Sequence, residues 1–293
     1  MAGDSRWGRV GVWSTAWTVA LRGGARELSG ELRDAAAELD GLGYGTLWLG
    51  GSPSVANAAV VLDATPRMTV ATGILSIWQQ PAAAVAAQRA DLERRHPGRF
   101  LLGLGVSHAV LTEQYAHPYR AMVDYLTELD AAPEPVPVAG RVLAALGPRM
   151  LELSRDRAAG AHPYLVTPEH TAYARGILGR DAVLAPEVKV VLDTDLDAAR
   201  AAARSHLKMY LQLPNYTNNL LRLGFTEDDL GGGGSDRLLA AVFAMGDVDA
   251  VARRAGEYLA AGADHLAVQV ITGDDALPLE QWRRLAEALP LKS

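Results

Sequence analysis

The sequence predicts an α/β protein of the (β/α)8 TIM-barrel class, on three observations. Short β-rich runs alternate with Ala/Leu/Arg-rich helical runs. Most of the β-rich runs are continuously apolar, the mark of parallel strands covered on both faces. The alternation reaches about eight units, which favours a closed barrel over an open doubly wound sheet. The chain has 293 residues, within the range of a single barrel, and the whole of 1–293 is expected as one domain.

Eight runs read as strands: Arg9–Ser14, Thr46–Leu49, Met68–Ile77, Arg99–Val106, Arg141–Leu146, His162–Val166, Val188–Leu192 and His265–Ile271. Between them, Ala25–Leu42 carries Leu28, Leu32, Ala35, Ala36 and Leu39 on one helical face. Leu279–Leu289 repeats that spacing with Leu279, Trp282, Leu285, Ala286 and Leu289, and Ala82–Arg95 and Asp197–Leu211 read similarly. Gly43, Gly160 and Gly262 each stand between a helix and a strand, where a left-handed glycine ends the helix. One interval, 208–244, between the seventh and eighth strands, is too long for a single crossover helix. It reads as a helical and loop insertion, either peripheral or a lid over the pocket. Gly231–Gly234 would then be a hinge, and Tyr216, Asn218 and Asn219 would face the substrate.

Composition narrows the function. Net charge is −6, and no Lys/Arg block suggests a nucleic-acid or anionic-membrane partner. There is no cysteine, which removes thiol catalysis, thiolate metal sites and disulfides. A disulfide-free chain with no apolar core in Met1–Trp7 and no run of about 18 apolar residues is expected in the cytoplasm, with no membrane span. The seven histidines show no metal-ligand spacing, so no metal site is expected.

The junctions after the strands carry the chemistry. Gly103-Leu104-Gly105-Val106-Ser107-His108 resembles half of a dinucleotide fingerprint but lacks the third glycine; its glycines would let a planar ligand approach the backbone. His108 ends this junction and is the first candidate for proton transfer, because imidazole titrates near neutral pH. His162 and Tyr164 would open the sixth strand, which could place them at the stability face. Gly147-Pro148-Arg149 opens a helix after the fifth strand, and Thr167-Pro168 opens one after the sixth. Both are helix N-termini suited to phosphate, although Thr167 also reads as a plain cap.

Gly98-Arg99-Phe100-Leu101-Leu102-Gly103-Leu104-Gly105 is similar to the fourth-strand signature of luciferase-like monooxygenases and F420-dependent oxidoreductases. Ala71-Thr72-Gly73-Ile74-Leu75-Ser76 resembles their third strand. Leu146–Met150 and Gly160–His170 look like an actinobacterial F420-dependent branch. The resemblance implies a bacterial-luciferase-like barrel with an insertion near the seventh strand. It implies a ring system across the C-terminal strand ends, backed by a non-prolyl cis bond at Gly73-Ile74. Gly73, Ile74 and Leu75 would pack against the ring, Gly105, Ser107 and His108 would line its other edge, and Val166 and Thr167 would approach the phosphate. Trp13 and Trp78 would wall the substrate pocket. The implied cofactor is the deazaflavin F420, with FMN as the alternative. The implied activity is hydride transfer between F420 and a small organic substrate. An FMN monooxygenase and a non-catalytic flavin or deazaflavin binder remain as rivals. Members often pair, so a homodimer is implied. One departure stands out: an aspartate or histidine often follows the second strand in these enzymes, whereas here the run is Trp48-Leu49-Gly50-Gly51.

Overall fold

The computed structural model describes residues 7–25, 27–108, 115–273 and 276–291. The amino-terminal run 1–6, where no apolar leader core was read, lies outside them, as does Arg26 of the expected first long helix. Eleven parallel strands form the sheet among the described residues: β1 Val10–Ser14, β2 Thr46–Leu49, β3 Thr69–Thr72, β4 Leu75–Ser76, β5 Phe100–Gly105, β6 Arg141–Leu143, β7 Gly160–Ala161, β8 Val183–Leu184, β9 Glu187–Val191, β10 Phe243–Met245 and β11 Leu266–Val270.

These strands close a barrel. Pairing runs β11-β1-β2-β3-β5-β6-β7-β8 without a break. β8 and β9 are two halves of one stave. Ala185 N donates to Ala161 O at 2.9 Å and Glu187 N to Pro163 O at 2.8 Å on one side, while Ala267 N donates to Pro186 O at 3.0 Å on the other. Helices cover the outside, so both faces of most strands are buried, as their unbroken apolar runs predicted.

The differences from the sequence reading have local causes. The expected third strand, Met68–Ile77, is broken into β3 and β4 at a cis Gly73-Ile74 bond. The expected sixth strand, His162–Val166, begins earlier: β7 is Gly160–Ala161, and His162 follows it. Gly160 is therefore no helix cap. The helix Pro148–Arg157 ends at Ala158 in an extended conformation, and Gly160 is needed because a side chain there would overlap the Val183 backbone. Gly43 and Gly262, by contrast, do follow helices with φ +98° and +106°. The first long helix starts at Gly30, after Ser29 caps Leu32 N, and not at Ala25.

The interval 208–244 holds the end of the crossover helix Leu196–Tyr210, then helices Pro214–Arg222, Glu227–Leu230 and Asp236–Val242, and finally β10, which the sequence reading missed. β10 adds to β9 on the side that β7 leaves uncovered. Gly231–Gly234 makes a tight turn with positive φ at Gly232, Gly233 and Gly234, tied to the crossover helix by Arg204 Nε donating to Gly234 O at 3.2 Å. No described helix is long and apolar enough to cross a membrane.

Candidate active site

A cavity of about 970 Å3 opens at the C-terminal ends of the strands, the face where barrel enzymes assemble their sites. Its bed is made of small residues. Gly73 and Ile74 follow β3, and Gly105 ends β5. The Ile74 side chain lies across Gly105, where an added Cβ would come within 2.5 Å of Ile74 Cδ1. The position must be glycine for the two strand ends to sit this close.

One wall comes from β1. The Trp13 indole lies against Gly73, where a Cβ would stand 2.8 Å from its Nε1, and fills the space a Cβ on Gly50 would need. No side chain can project from position 50 into the cavity, which explains physically why no acid follows the second strand. Ser107, with φ +58°, and His108 continue the rim after β5. His108 is half-buried, and burial lowers its pKa, favouring neutral imidazole. Asn215 Nδ2 lies 3.3 Å from His108 Nδ1. An amide nitrogen can only donate, so the neutral ring carries its proton on Nε2.

Gly147 and Arg149 open the helix Pro148–Arg157 at another edge of the cavity. No side chain caps this helix, so its first N–H groups face outward with the positive end of the helix dipole. Arg149 lies over the Tyr119 ring at 4.1 Å, and the Arg222 guanidinium would be 3.3 Å from a Cβ on Gly147. Arg22 lines the cavity as well. None of the three makes a salt bridge among the described residues.

The insertion supplies the remaining wall. Helix Pro214–Arg222 brings in Asn215, Tyr216, Asn218 and Arg222, so the interval read as a lid does line the cavity. Asn219 does not; it is buried and accepts from Arg222 at 3.2 Å.

Beneath this wall lies a group that the sequence reading did not single out. Lys189 and Glu187 project from β9 into the barrel, both fully buried and paired at 3.0 Å. Lys189 also donates to Gln269 Oε1 at 3.1 Å and sits 3.8 Å from the Tyr164 ring centroid. Burial lowers the Lys189 pKa to about 8 and raises that of Glu187. Tyr164, Tyr210 and Tyr216 pack together above the pair, with ring centroids 5.5–6.0 Å apart. The signal was present: two charges at i and i+2 in an apolar parallel strand must point to the same face, close enough to pair.

His162 and Tyr164 also line the cavity, contrary to the expectation that they sit at the stability face. The reason is the shift of β7, which puts them past the C-terminal end of their strand. His162 stacks on Trp48 at 4.1 Å and donates Nδ1–H to Ala185 O at 2.7 Å. Burial brings its pKa to about 4, so it is neutral. Trp48 Nε1 donates to His265 Nε2 at 2.9 Å, and His265 is likewise held near pKa 4 by burial.

Besides Asn219, four expected site residues lie away from the cavity lining. Leu75 is fully buried in the core on β4. Trp78 donates Nε1–H to Val106 O at 2.6 Å and faces Tyr115. Val166 is buried, and its carbonyl accepts from Tyr258. Thr167 spends its hydroxyl oxygen as the cap of helix Pro168–Leu178, accepting from His170 N at 3.3 Å. The capping reading of Thr167 is thus the one the geometry favours. Trp13, Gly73, Ile74, Gly105, Ser107, His108, Gly147, Arg149, Tyr216 and Asn218 are brought together around one space. No cluster of three or more metal-ligating His, Asp or Glu side chains occurs among the described residues.

The luciferase-like monooxygenase family profile matches residues 11–265 of this chain. An uncharacterized protein of Mycobacterium tuberculosis is 26% identical, with 75% of this chain and 84% of that protein covered. Two solved structures share the fold. An F420-dependent secondary alcohol dehydrogenase in complex with an F420-acetone adduct superposes with a TM-score of 0.72 at 13% identity, covering 98% of this chain and 99% of that one. The oxygenating constituent of 3,6-diketocamphane monooxygenase from Pseudomonas putida, in complex with FMN, gives 0.66 at 16% identity, covering 98% and 99%.

Proposed function

The chain belongs to the luciferase-like monooxygenase family, and from that premise we propose that it is an oxidoreductase using the deazaflavin F420, exchanging a hydride with a small organic substrate. The observation that carries this reading is the set of cavity-lining arginines without carboxylate partners: Arg149 and Arg222 at an uncapped helix N-terminus, with Arg22 also on the lining. A phosphate needs only the first two. A cofactor whose tail carries further carboxylates has a use for a basic groove that stays open, and this favours F420 over FMN.

The residues fit such a group. Gly73, Ile74 and Gly105 form a bed with no side chain large enough to block a planar ring. When bound, a deazaflavin supplies a ring carbon that takes or gives a hydride and does not activate oxygen as a flavin does. The chain's own share is placement and exclusion of water. The first turn of helix Pro148–Arg157, with Arg149 and Arg222, would hold the phosphate. Trp13 would fix the depth of the substrate, and helix Pro214–Arg222 would cover it. His108, neutral with its proton on Nε2, would stand at the rim as a group able to hold or move a proton.

The test is a fluorescence titration of the protein with F420 and with FMN at matched salt. Tighter binding of F420, weakened in Arg149→Ala and Arg222→Ala, is expected. Preference for FMN would replace this reading with oxygen chemistry. Binding of neither would remove the cofactor from the account.

A further inference from the structure

We propose that the Tyr216 hydroxyl is the hydrogen-bond donor to the substrate, and that the group it receives is an uncharged oxygen acceptor, a carbonyl. This rests on the reading of the cavity as the substrate site of an oxidoreductase.

Lys189 Nζ faces Gln269 Oε1 at 3.1 Å. An ammonium group can only donate, so that Gln269 atom is the amide oxygen and its orientation is fixed. The Tyr164 hydroxyl lies 2.8 Å from the same oxygen and must therefore give its single proton to it. The Tyr210 hydroxyl lies 2.7 Å from Tyr164 Oη. Since the Tyr164 proton is committed, Tyr210 must donate to Tyr164. The buried ion pair thus consumes two of the three hydroxyl protons on this wall. Only Tyr216 retains one: its hydroxyl has no partner among the described residues, while its ring is 8% exposed and lines the cavity. Burial, with Tyr210 beside it, raises its pKa well above the ordinary value, so it keeps its proton and acts as a donor.

On the strand side, two positions that could have competed supply no donor. Trp13 Nε1 has no exposed surface, and position 50 admits no side chain. His108 carries a proton on Nε2 but is half exposed, so its bonds compete with water. The acceptor is uncharged because the proton left on this wall belongs to a neutral phenol that carries no charge to balance an ion, whereas an anionic group would be drawn to Arg22, Arg149 or Arg222 elsewhere on the lining.

The experiment uses cyclohexanone carrying carbon-13 at the carbonyl, bound to the protein alone and to the protein with whichever cofactor it takes. The readouts are the infrared frequency of the carbonyl and the dissociation constant. In the wild type the carbonyl band should shift to lower frequency than in an apolar solvent. Tyr216→Phe should abolish the shift and weaken binding about ten-fold, the scale of one buried hydrogen bond. Tyr210→Phe keeps the same wall but removes a committed proton, and should leave the shift in place. A shift that survives Tyr216→Phe, a shift lost instead in His108→Gln, an unshifted band for the bound ketone, or no ketone binding would each overturn the proposal. The two readings fail separately. Failure of both cofactors to bind, with the carbonyl shift intact, removes the cofactor reading and leaves this one. A bound cofactor with an unshifted carbonyl does the reverse.

Discussion

Lowering the pH from 7 to 5 should destabilise the fold through the two histidines that flank Trp48. His162 and His265 are fully buried, and burial lowers the folded pKa of each to about 4, against an unfolded value of about 6.5. The neutral form is the one the fold accepts. Between pH 6.5 and 4 the unfolded chain therefore binds more protons than the folded one, and stability falls as pH falls through that window. At pH 5 each shift corresponds to about 2 kcal/mol. The perturbation that isolates one of them is His162→Phe, which keeps an aromatic face on Trp48 but cannot titrate. Urea unfolding of both proteins at pH 7 and at pH 5 gives four free energies. The wild type should lose about 2 kcal/mol more than the variant on acidification. Any constant cost of losing the Nδ1 bond to Ala185 O cancels in this double difference. Equal losses, to within about 0.5 kcal/mol, would refute the reasoning, as would an imidazole resonance of His162 titrating near its ordinary pKa in the folded protein.

Three further outcomes follow from named contacts. Lys189→Met leaves the Glu187 carboxylate buried without its cation and should cost about 3–5 kcal/mol in urea unfolding, with most of it restored by adding Glu187→Gln. Gly103→Ala places a Cβ on the Thr72 carbonyl and should destabilise by about 1–3 kcal/mol, whereas Gly105→Ala, which meets side-chain atoms of Ile74 and Ala144 and no backbone, should cost less stability and weaken binding of a planar ring in a fluorescence titration. Arg149→Ala and Arg222→Ala should each weaken binding of a phosphate-bearing cofactor about ten- to a hundred-fold while leaving the melting temperature nearly unchanged, because both side chains are exposed and unpaired with carboxylates.

The barrel was legible because its strands are buried on both faces and so read as plain apolar runs: Thr46–Leu49 and Arg99–Val106 fall on β2 and β5 within a residue. The elements that escaped are those held by backbone pairing with no side-chain pattern to mark them. β7 is a glycine and an alanine, identical in composition to a helix-ending junction, and only the backbone of Val183 pressing on Gly160 distinguishes them. β8 and β10 are two and three residues long, too short for a period. At the site, the loop residues after β3, β5 and β6 were legible because glycines at strand ends signal close approach. Val166 and Thr167 were placed by the same logic and lie elsewhere, because Thr167 satisfies its own helix. Tyr210 and Arg222 escaped because each sits on an amphipathic helix, where an aromatic or a cation ordinarily means packing or solvent; only the folded insertion turns them toward the strand ends.

The two walls of the cavity have exchanged roles through one side chain. In the position after β2, where the sequence resemblance implies an aspartate or histidine, Gly50 stands, because the Trp13 indole occupies the volume its Cβ would take. An acid cannot be restored there unless Trp13 is also made smaller, so the two positions are coupled. Trp13 makes the strand side apolar and pushes hydrogen bonding to the insertion. There the buried Lys189–Glu187 pair fixes the direction of every tyrosine proton but one. A buried ion pair is weak support for stability, and this one stands directly under the three tyrosines of the pocket wall. Its energetic cost is intelligible if it sets the polarity of that wall: it leaves the Tyr216 hydroxyl as the well-buried donor facing the space the cofactor and substrate would share.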